Sequence, residues 1–218
     1  MMVALLPSLM GALIHQVMVV SGFRTPALEA LVFIVAAMTA AWTAVSRFRS
    51  LRDPDKDPMT GLLNKRFFEE ALKKYFSPRR YAPPVGVVFL DIDNFKKIND
   101  GSGHAAGDMV LRAVAERLHA ALRTLDIVAR LGGDEFGMLL VDIFPDVKVL
   151  EAVAKRLLDE VGKPILYQGE KIAISLSIGI GLWDRRVPPD EIMRRVDAAL
   201  YRAKRSGKNC YAIAEGRQ

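Results

Sequence analysis

Two adjacent glycines between short apolar runs limit what the middle of this chain can fold into. Residues 127–131 and 136–141 are mostly apolar, and residues 132–135 between them are two glycines followed by two carboxylates. Glycine adopts the positive φ angles that a tight turn between antiparallel strands requires. The sequence therefore predicts a β-hairpin that carries Asp134 and Glu135 at its tip.

The apolar periodicity on either side of this hairpin predicts alternating helices and strands. We predict a helix through 67–76, a strand at 85–92, helices at 108–125 and 146–161, a strand within 172–182, a helix at 190–206 and a strand at 210–214. With the hairpin, the order is α-β-α-β-β-α-β-α-β. That order favours the α/β class, in the form of an α+β sandwich with helices packed on a central, mostly antiparallel sheet.

The apolar surplus of the chain, which is 51% hydrophobic, is concentrated at its N-terminal end. Residues 1–20 and 30–45 carry no charged side chain, and each run is close to the length that crosses a bilayer as a helix. A basic cluster follows the second run and consists of Arg47, Arg49, Arg52 and Lys56. Such clusters are typical of the cytoplasmic side of a membrane helix.

We therefore expect three regions in the chain. Residues 1–50 would form two transmembrane helices, 51–56 a linker, and 57–218 a globular domain on the cytoplasmic side of the inner (cytoplasmic) membrane. A signal peptide and a helix pair buried in a soluble core are the alternatives. The signal peptide fits less well, because no basic residue precedes the first apolar run.

The composition excludes several classes of site. The single cysteine, Cys210, cannot form a disulfide within the chain, and three scattered histidines give no zinc-ligand spacing. The net charge of +6 is spread along the chain, and this mildly basic surface suits a small anionic substrate as well as a polymer. The sequence also lacks the glycine-rich phosphate loops of P-loop and Rossmann enzymes.

A carboxylate at the end of the predicted strand 85–92 points to metal chemistry. Side chains alternate along a strand, which places Asp91 on the same face as three apolar residues, a costly position without a partner. If the hairpin tip lies beside it, Asp134 and Glu135 complete a carboxylate cluster suited to Mg²⁺ and nucleotide phosphates. The alternative is that these residues, with Asp93, are ordinary loop and turn residues.

The segment 130–136 reads Arg-Leu-Gly-Gly-Asp-Glu-Phe and resembles the signature of the GGDEF-domain diguanylate cyclases. Four further blocks agree with that family in order and spacing, and they lie within 57–64, 91–108, 177–179 and 197–209. The resemblance covers 57–214 and leaves the first 50 residues outside it.

The resemblance implies a palm-like domain of the nucleotide-cyclase kind, which works as a homodimer. Two GTP molecules would condense to cyclic di-GMP with release of two pyrophosphates, with Mg²⁺ or Mn²⁺ as the cofactor. The implied metal ligands are Asp91, the backbone carbonyl of Ile92, and Asp134. Glu135 would help to activate the attacking 3'-hydroxyl, so that Asp134 and Glu135 are the implied catalytic pair.

The same resemblance assigns the contacts with the substrate. Asn99 and Asp108 would read guanine, because a carboxylate accepts from the donor edge that adenine does not offer. Lys96, Lys204 and Lys208 would contact the triphosphate, although a solvated helix face is the alternative for these lysines. Lys208 stands where arginine is commoner in the family, and Ser102 replaces the usual aromatic residue.

A second site is implied where relatives carry an inhibitory Arg-x-x-Asp motif for the product. Arg123 and Asp126 have this spacing six residues before the glycine pair, but an ordinary surface pair is the alternative.

A catalytically silent receptor or scaffold, binding GTP or cyclic di-GMP, is the main rival to an active cyclase. The complete signature, together with Asp91, Asn99 and Asp108, favours the enzyme. A polymerase-like transferase acting on nucleic acid would need a basic groove or a series of stacking aromatic residues. The sequence shows neither, so we expect no nucleic acid partner.

Overall fold

The structure is a computed structural model that describes residues 34–40, 53–76, 84–143 and 146–215. The chain divides into two units, Met1–Pro54 and Asp55–Gln218, with the division inside the predicted linker 51–56.

The first unit bears on the membrane prediction. Of its described residues, 34–40 form a helix with Ile34, Val35 and Met38 exposed. Among the described residues, no helix is both long enough and apolar enough to span a bilayer. The predicted span at 1–20 lies outside those residues, as does most of the one at 30–45.

The second unit alternates helices and strands. In chain order the elements are β1 (Leu63–Asn64), α1 (Lys65–Tyr75), β2 (Val85–Ile92), α2 (Phe95–Ser102), α3 (His104–Ala121), β3 (Ile127–Gly132), β4 (Glu135–Leu140), α4 (Val147–Val161), β5 (Ile165–Tyr167), β6 (Glu170–Ile172), β7 (Leu176–Trp183), α5 (Pro189–Arg205) and β8 (Cys210–Ile213).

Six strands form one sheet in the order β1-β3-β4-β2-β7-β8. The pairs β3–β4, β4–β2 and β2–β7 are antiparallel, whereas the outer pairs β1–β3 and β7–β8 are parallel. Strands β5 and β6 form a separate hairpin. The prediction of a central, mostly antiparallel sheet is therefore confirmed.

Strand β2 lies in the middle of the sheet and is buried on both faces. Val88, Leu90 and Ile92 contribute to a core shared with α3 and α4. Val85 and Val87 contribute to a second core shared with α1 and α5. The alternation predicted along this strand is confirmed, and it places Asp91 on the face of α1 and α5.

Three regions differ from the prediction. Helix α2 was not predicted, because two lysines, an aspartate and Gly101 interrupt its short apolar pattern. The helix predicted at 108–125 begins at His104, directly after Gly103 with φ of 84°, and ends at Ala121. The β5–β6 hairpin was also missed.

Candidate active site

The ends of two neighbouring strands bring the predicted metal residues together. In the sheet register, Asp91 of β2 lies opposite Glu135 of β4. The backbone N–H of Ile92 donates to the carbonyl of Asp134, with 3.3 Å between nitrogen and oxygen. Asp91, Ile92, Asp134 and Glu135 therefore meet at one end of the sheet.

Asp91 is the most buried carboxylate of this group, with 10% of its side chain exposed. Lys204 of α5 places Nζ 2.6 Å from Oδ2 of Asp91. Burial raises the pKa of Asp91 above its ordinary value. The hydrogen bond from Lys204 opposes this shift, and the negative charges of Asp134 and Glu135 add to it. Such a carboxylate attracts a cation.

The donor set fits Mg²⁺ or Mn²⁺. Asp91 and Asp134 provide carboxylate oxygens, and Ile92 provides a carbonyl oxygen, all of them hard ligands. Within the described ranges, no group of three or more His, Cys, Asp or Glu side chains is placed to hold a metal. Mg²⁺ is commonly held by one or two carboxylates and completes its coordination with waters and substrate phosphates, so two carboxylates suffice.

Glu135 is exposed at the tip of the hairpin. It also lines a groove of about 350 Å³ beside α1 and α5, together with Lys65, Arg194 and Asp197. Glu135 is therefore accessible to a bound molecule, as a group that takes a proton from a substrate hydroxyl must be.

Lys208 lies on the loop after α5 and, like Lys204, approaches the end of β2. Nζ of Lys208 donates to Oδ1 of Asn94 at 2.6 Å. Both Lys208 and Asn209 have positive φ angles, 64° and 47°. The backbone N–H of Asn209 donates to Oδ2 of Asp93 at 2.9 Å, which fastens this loop to the end of β2.

Asp93 anchors that loop. Its side chain is buried and also accepts hydrogen bonds from the hydroxyls of Ser175 and Ser177 at 2.8 and 2.6 Å. The sequence analysis gave Asp93 no role, and its partners lie more than 80 residues away in the chain.

The predicted guanine readers meet at the junction of α2 and α3. Asn99 of α2 lies over Gly107 of α3, where an added β-carbon would stand 1.9 Å from Oδ1 of Asn99. Asp108 follows Gly107 directly and is half-buried. Lys96 is exposed on the first turn of α2. The short helix α2, which carries Lys96 and Asn99, begins at Phe95, four residues after Asp91 in the chain.

Arg123 and Asp126 lie in the turn between α3 and β3. The carboxylate of Asp126 accepts from the backbone N–H of Arg123 at 3.0 Å and from that of Val141 at 3.1 Å. Both residues line a groove of about 460 Å³ together with Lys148 and Arg156 of α4. The sequence analysis missed these two basic residues, because local spacing does not connect them with Arg123.

The comparisons with known proteins agree with this architecture. The family model described as "Diguanylate cyclase, GGDEF domain" matches residues 55–210. The chain is similar to the diguanylate cyclase TpbB of Pseudomonas aeruginosa, at 38% identity over 162 residues, 73% of this chain and 37% of that protein. It is also similar to the cyclic di-GMP phosphodiesterase NbdA of the same organism, at 34% identity over 155 residues, 70% of this chain and 20% of that protein.

Among solved structures, the chain is similar to the GGDEF domain of DgcB from Caulobacter crescentus in complex with cyclic di-GMP. The TM-score is 0.70 at 30% identity, covering 75% of this chain and 98% of that chain. The chain thus spans 37% and 20% of the lengths of the two curated relatives, but nearly the whole of this solved domain.

Proposed function

The chain belongs to the GGDEF-domain family of diguanylate cyclases, and from this premise we propose that it condenses two GTP molecules into cyclic di-GMP. The observation that carries the proposal is the meeting of Asp91, Ile92, Asp134 and Glu135 at one end of the sheet, with Lys204 paired to Asp91. A buried carboxylate paired with a lysine, beside two more accessible carboxylates, suits the binding of metal-associated phosphates.

In each of the two condensation steps, a 3'-oxygen bonds to the α-phosphorus of the other GTP. The bond between that phosphorus and the α,β-bridging oxygen breaks, and pyrophosphate leaves. Glu135 takes the proton of the 3'-hydroxyl, and Lys96, Lys204 and Lys208 neutralise the triphosphate. Mg²⁺ or Mn²⁺, when held by Asp91, Asp134 and the Ile92 carbonyl, lowers the negative charge on the phosphates.

Guanine selectivity would come from the α2–α3 junction. The carboxylate of Asp108 accepts hydrogen bonds from the N1–H and N2 amino groups of guanine. Adenine lacks this donor pair, so it would leave a half-buried carboxylate unsatisfied. Asn99, held over Gly107, would complete the contact with the base.

One domain holds one set of base-reading residues and one carboxylate cluster, whereas the product contains two guanosines. Two copies of the domain would therefore face each other about a two-fold axis, each presenting a GTP to the other. A homodimer is accordingly part of the proposed function.

The uncharged runs at 1–20 and 30–45 and the basic cluster after them support a membrane anchor. Under this proposal the catalytic domain lies in the cytoplasm, at the inner membrane. Recovery of the full chain in the membrane fraction would support it, and a full chain that stays soluble without detergent would exclude it.

The groove lined by Arg123, Asp126, Lys148 and Arg156 would bind the product as an inhibitor. Three basic side chains around one carboxylate suit a cyclic dinucleotide, since guanidinium groups bind phosphates and guanine edges in a bidentate manner.

A catalytically silent receptor or scaffold is the second candidate. The observation that favours it is the similarity to NbdA, which is named as a cyclic di-GMP phosphodiesterase. A sequence like this one therefore also occurs in a protein that is not named for synthesis of the dinucleotide. Binding of GTP or cyclic di-GMP without turnover would identify this case.

The deciding experiment is incubation of the purified full chain with GTP and Mg²⁺, followed by detection of cyclic di-GMP. Asp134→Asn should abolish product formation while the melting temperature stays close to that of the parent, because it removes a charge from a turn and no core packing. Asp142→Asn is a matched control, since Asp142 is exposed and asparagine tolerates its φ of 49°. Near-normal turnover in Asp134→Asn would refute the metal assignment.

A further inference from the structure

The turn that carries Asp134 is held by hydrogen bonds from Arg130 of β3. Nε and Nη2 of Arg130 both donate to the carbonyl oxygen of Gly133, at 3.0 and 2.7 Å. That carbonyl belongs to the peptide unit directly before Asp134. The guanidinium therefore fixes the orientation of this peptide plane.

The peptide unit on the other side of Asp134 is held as well. Its carbonyl oxygen accepts from the backbone N–H of Ile92 at 3.3 Å. Asp134 is thus restrained at both neighbouring peptide planes, by β3 on one side and by β2 on the other. Restraint at both ends determines where its Cα–Cβ bond points.

This restraint matters because the turn itself is permissive. Gly132 and Gly133 have φ angles of 146° and 54°, and the pairing of β3 with β4 shifts register between Arg130 and Gly132. Glycines lose more conformational freedom on ordering than other residues. A metal ligand on such a turn needs an outside contact to stay in place.

Asp57 supplies the anchor for the arginine. Its Oδ1 and Oδ2 lie 3.2 and 3.4 Å from Nη1 of Arg130, and only 18% and 14% of the two side chains are exposed. Asp57 is held in turn by the backbone N–H and the hydroxyl of Thr60, at 2.9 and 2.7 Å. The chain of contacts runs from Thr60 through Asp57 and Arg130 to Gly133.

We infer that Arg130, anchored by Asp57, is a positioning residue that orients Asp134 for the metal. The inference rests on the proposed function, since it concerns the same metal site. Neither Arg130 nor Asp57 is required to touch the metal or the nucleotide for this role. Contacts that orient a metal ligand typically change metal affinity by roughly ten- to a hundredfold when removed.

The test is Mn²⁺ binding by the full chain in the presence of a non-hydrolysable GTP analogue, followed by electron paramagnetic resonance. Asp57→Asn should raise the Mn²⁺ dissociation constant roughly tenfold or more, and excess Mn²⁺ should restore occupancy and turnover. Asp55→Asn is the matched control. Asp55 lies two residues away and pairs with Arg66 of α1 at 2.5 Å, so its loss should leave Mn²⁺ affinity unchanged.

Two further variants separate positioning from general stability. Arg130→Lys keeps the charge but cannot place two parallel donors on Gly133, so it should weaken Mn²⁺ binding to a similar degree. It also serves if Asp57→Asn fails to fold. The double variant Asp57→Asn/Arg130→Lys should lose as much Mn²⁺ affinity as Arg130→Lys alone, because both residues act through the carbonyl of Gly133. Additive losses would show independent roles and overturn the inference.

The outcomes also distinguish this inference from the proposed function. A parent protein that binds Mn²⁺ and forms product, with an Asp57→Asn variant of unchanged Mn²⁺ affinity, overturns the inference alone. A parent that binds no Mn²⁺ and forms no product overturns both.

Discussion

Lys204 and Asp91 form a close ion pair, with Nζ 2.6 Å from Oδ2, at the place where the metal and the triphosphate are proposed to bind. The ammonium group of Lys204 therefore pairs with the same carboxylate that is proposed to bind the metal. When metal-bound GTP enters, Lys204 would exchange Asp91 for a phosphate oxygen. The ion pair balances the buried negative charge of Asp91 whenever no metal is bound.

Replacing this lysine should therefore separate metal affinity from nucleotide affinity. In Lys204→Met, Mn²⁺ binding without nucleotide should tighten about fivefold, since removing a competing cation is worth about 1 kcal/mol. The KM for GTP should rise, because a phosphate contact is lost. Titration with Mn²⁺ alone and steady-state kinetics measure the two effects.

Lys208→Met provides the comparison for this pair of measurements. Lys208 contacts the neutral amide of Asn94 instead of a carboxylate, so its removal should raise the KM for GTP without tightening Mn²⁺ binding. Weaker or unchanged Mn²⁺ affinity in Lys204→Met would contradict the exchange.

The second prediction concerns the contact between Asn99 and Gly107. In Gly107→Ala the new methyl group would stand 1.9 Å from Oδ1 of Asn99, so the amide must rotate away. Loss of one hydrogen bond to guanine corresponds to a KM for GTP that is up to about tenfold higher. The melting temperature should change little, because alanine is the better helix former at this position of α3.

Gly101→Ala is the control for that substitution. An added β-carbon at Gly101 of α2 meets no atom within 4 Å, and the residue is exposed. Its KM for GTP should match the parent. If Gly107→Ala also keeps the parent KM, Asn99 is not a base-reading residue.

Much of this site could be predicted from local patterns. The glycine pair and the buried run of β2 indicated the hairpin and the strand, and these two elements bring Asp91, Asp134 and Glu135 together. Local patterns did not reveal the partners of the supporting residues. Arg130 meets Asp57 across 73 residues and Asp93 meets Asn209 across 116, and no periodicity connects such distant positions.

The third prediction is a pH dependence of stability that Asp57 causes. Burial acts to raise the pKa of Asp57, but the hydrogen bonds from Thr60 and Arg130 outweigh it and hold the pKa below its ordinary value. A carboxylate with a lowered pKa stabilises the folded protein at pH values above its ordinary pKa. That stabilisation is lost as the pH falls through the pKa of the folded state. The melting temperatures of parent and Asp57→Asn should therefore differ near pH 7 and converge below about pH 4. A difference that stays constant down to pH 3 would contradict this assignment.

The fourth prediction concerns inhibition by the product. Arg123→Ala and Arg156→Ala should each weaken inhibition by added cyclic di-GMP, because each removes a cation from the groove, and the initial rate should stay intact. Lys155→Ala is the control, since Lys155 is the exposed neighbour of Arg156 on α4 and does not line the groove. Equal inhibition of the parent and both arginine variants would mean that this groove does not regulate the proposed activity.

The fifth prediction concerns assembly, because the proposed reaction needs two domains that each present one GTP. The N-terminal apolar runs would hold two chains together in the membrane and raise the effective concentration of the catalytic domains. A truncated chain that begins at Asp53 keeps the whole unit Asp55–Gln218, so it should retain the chemistry but depend on free encounter. Its specific activity should rise with enzyme concentration in a dilution series, whereas the full chain, if it is anchored in a membrane as proposed, should show a flatter dependence. Specific activity that stays constant on dilution, in a truncated chain that is monomeric by light scattering, would exclude catalysis by a pair of domains.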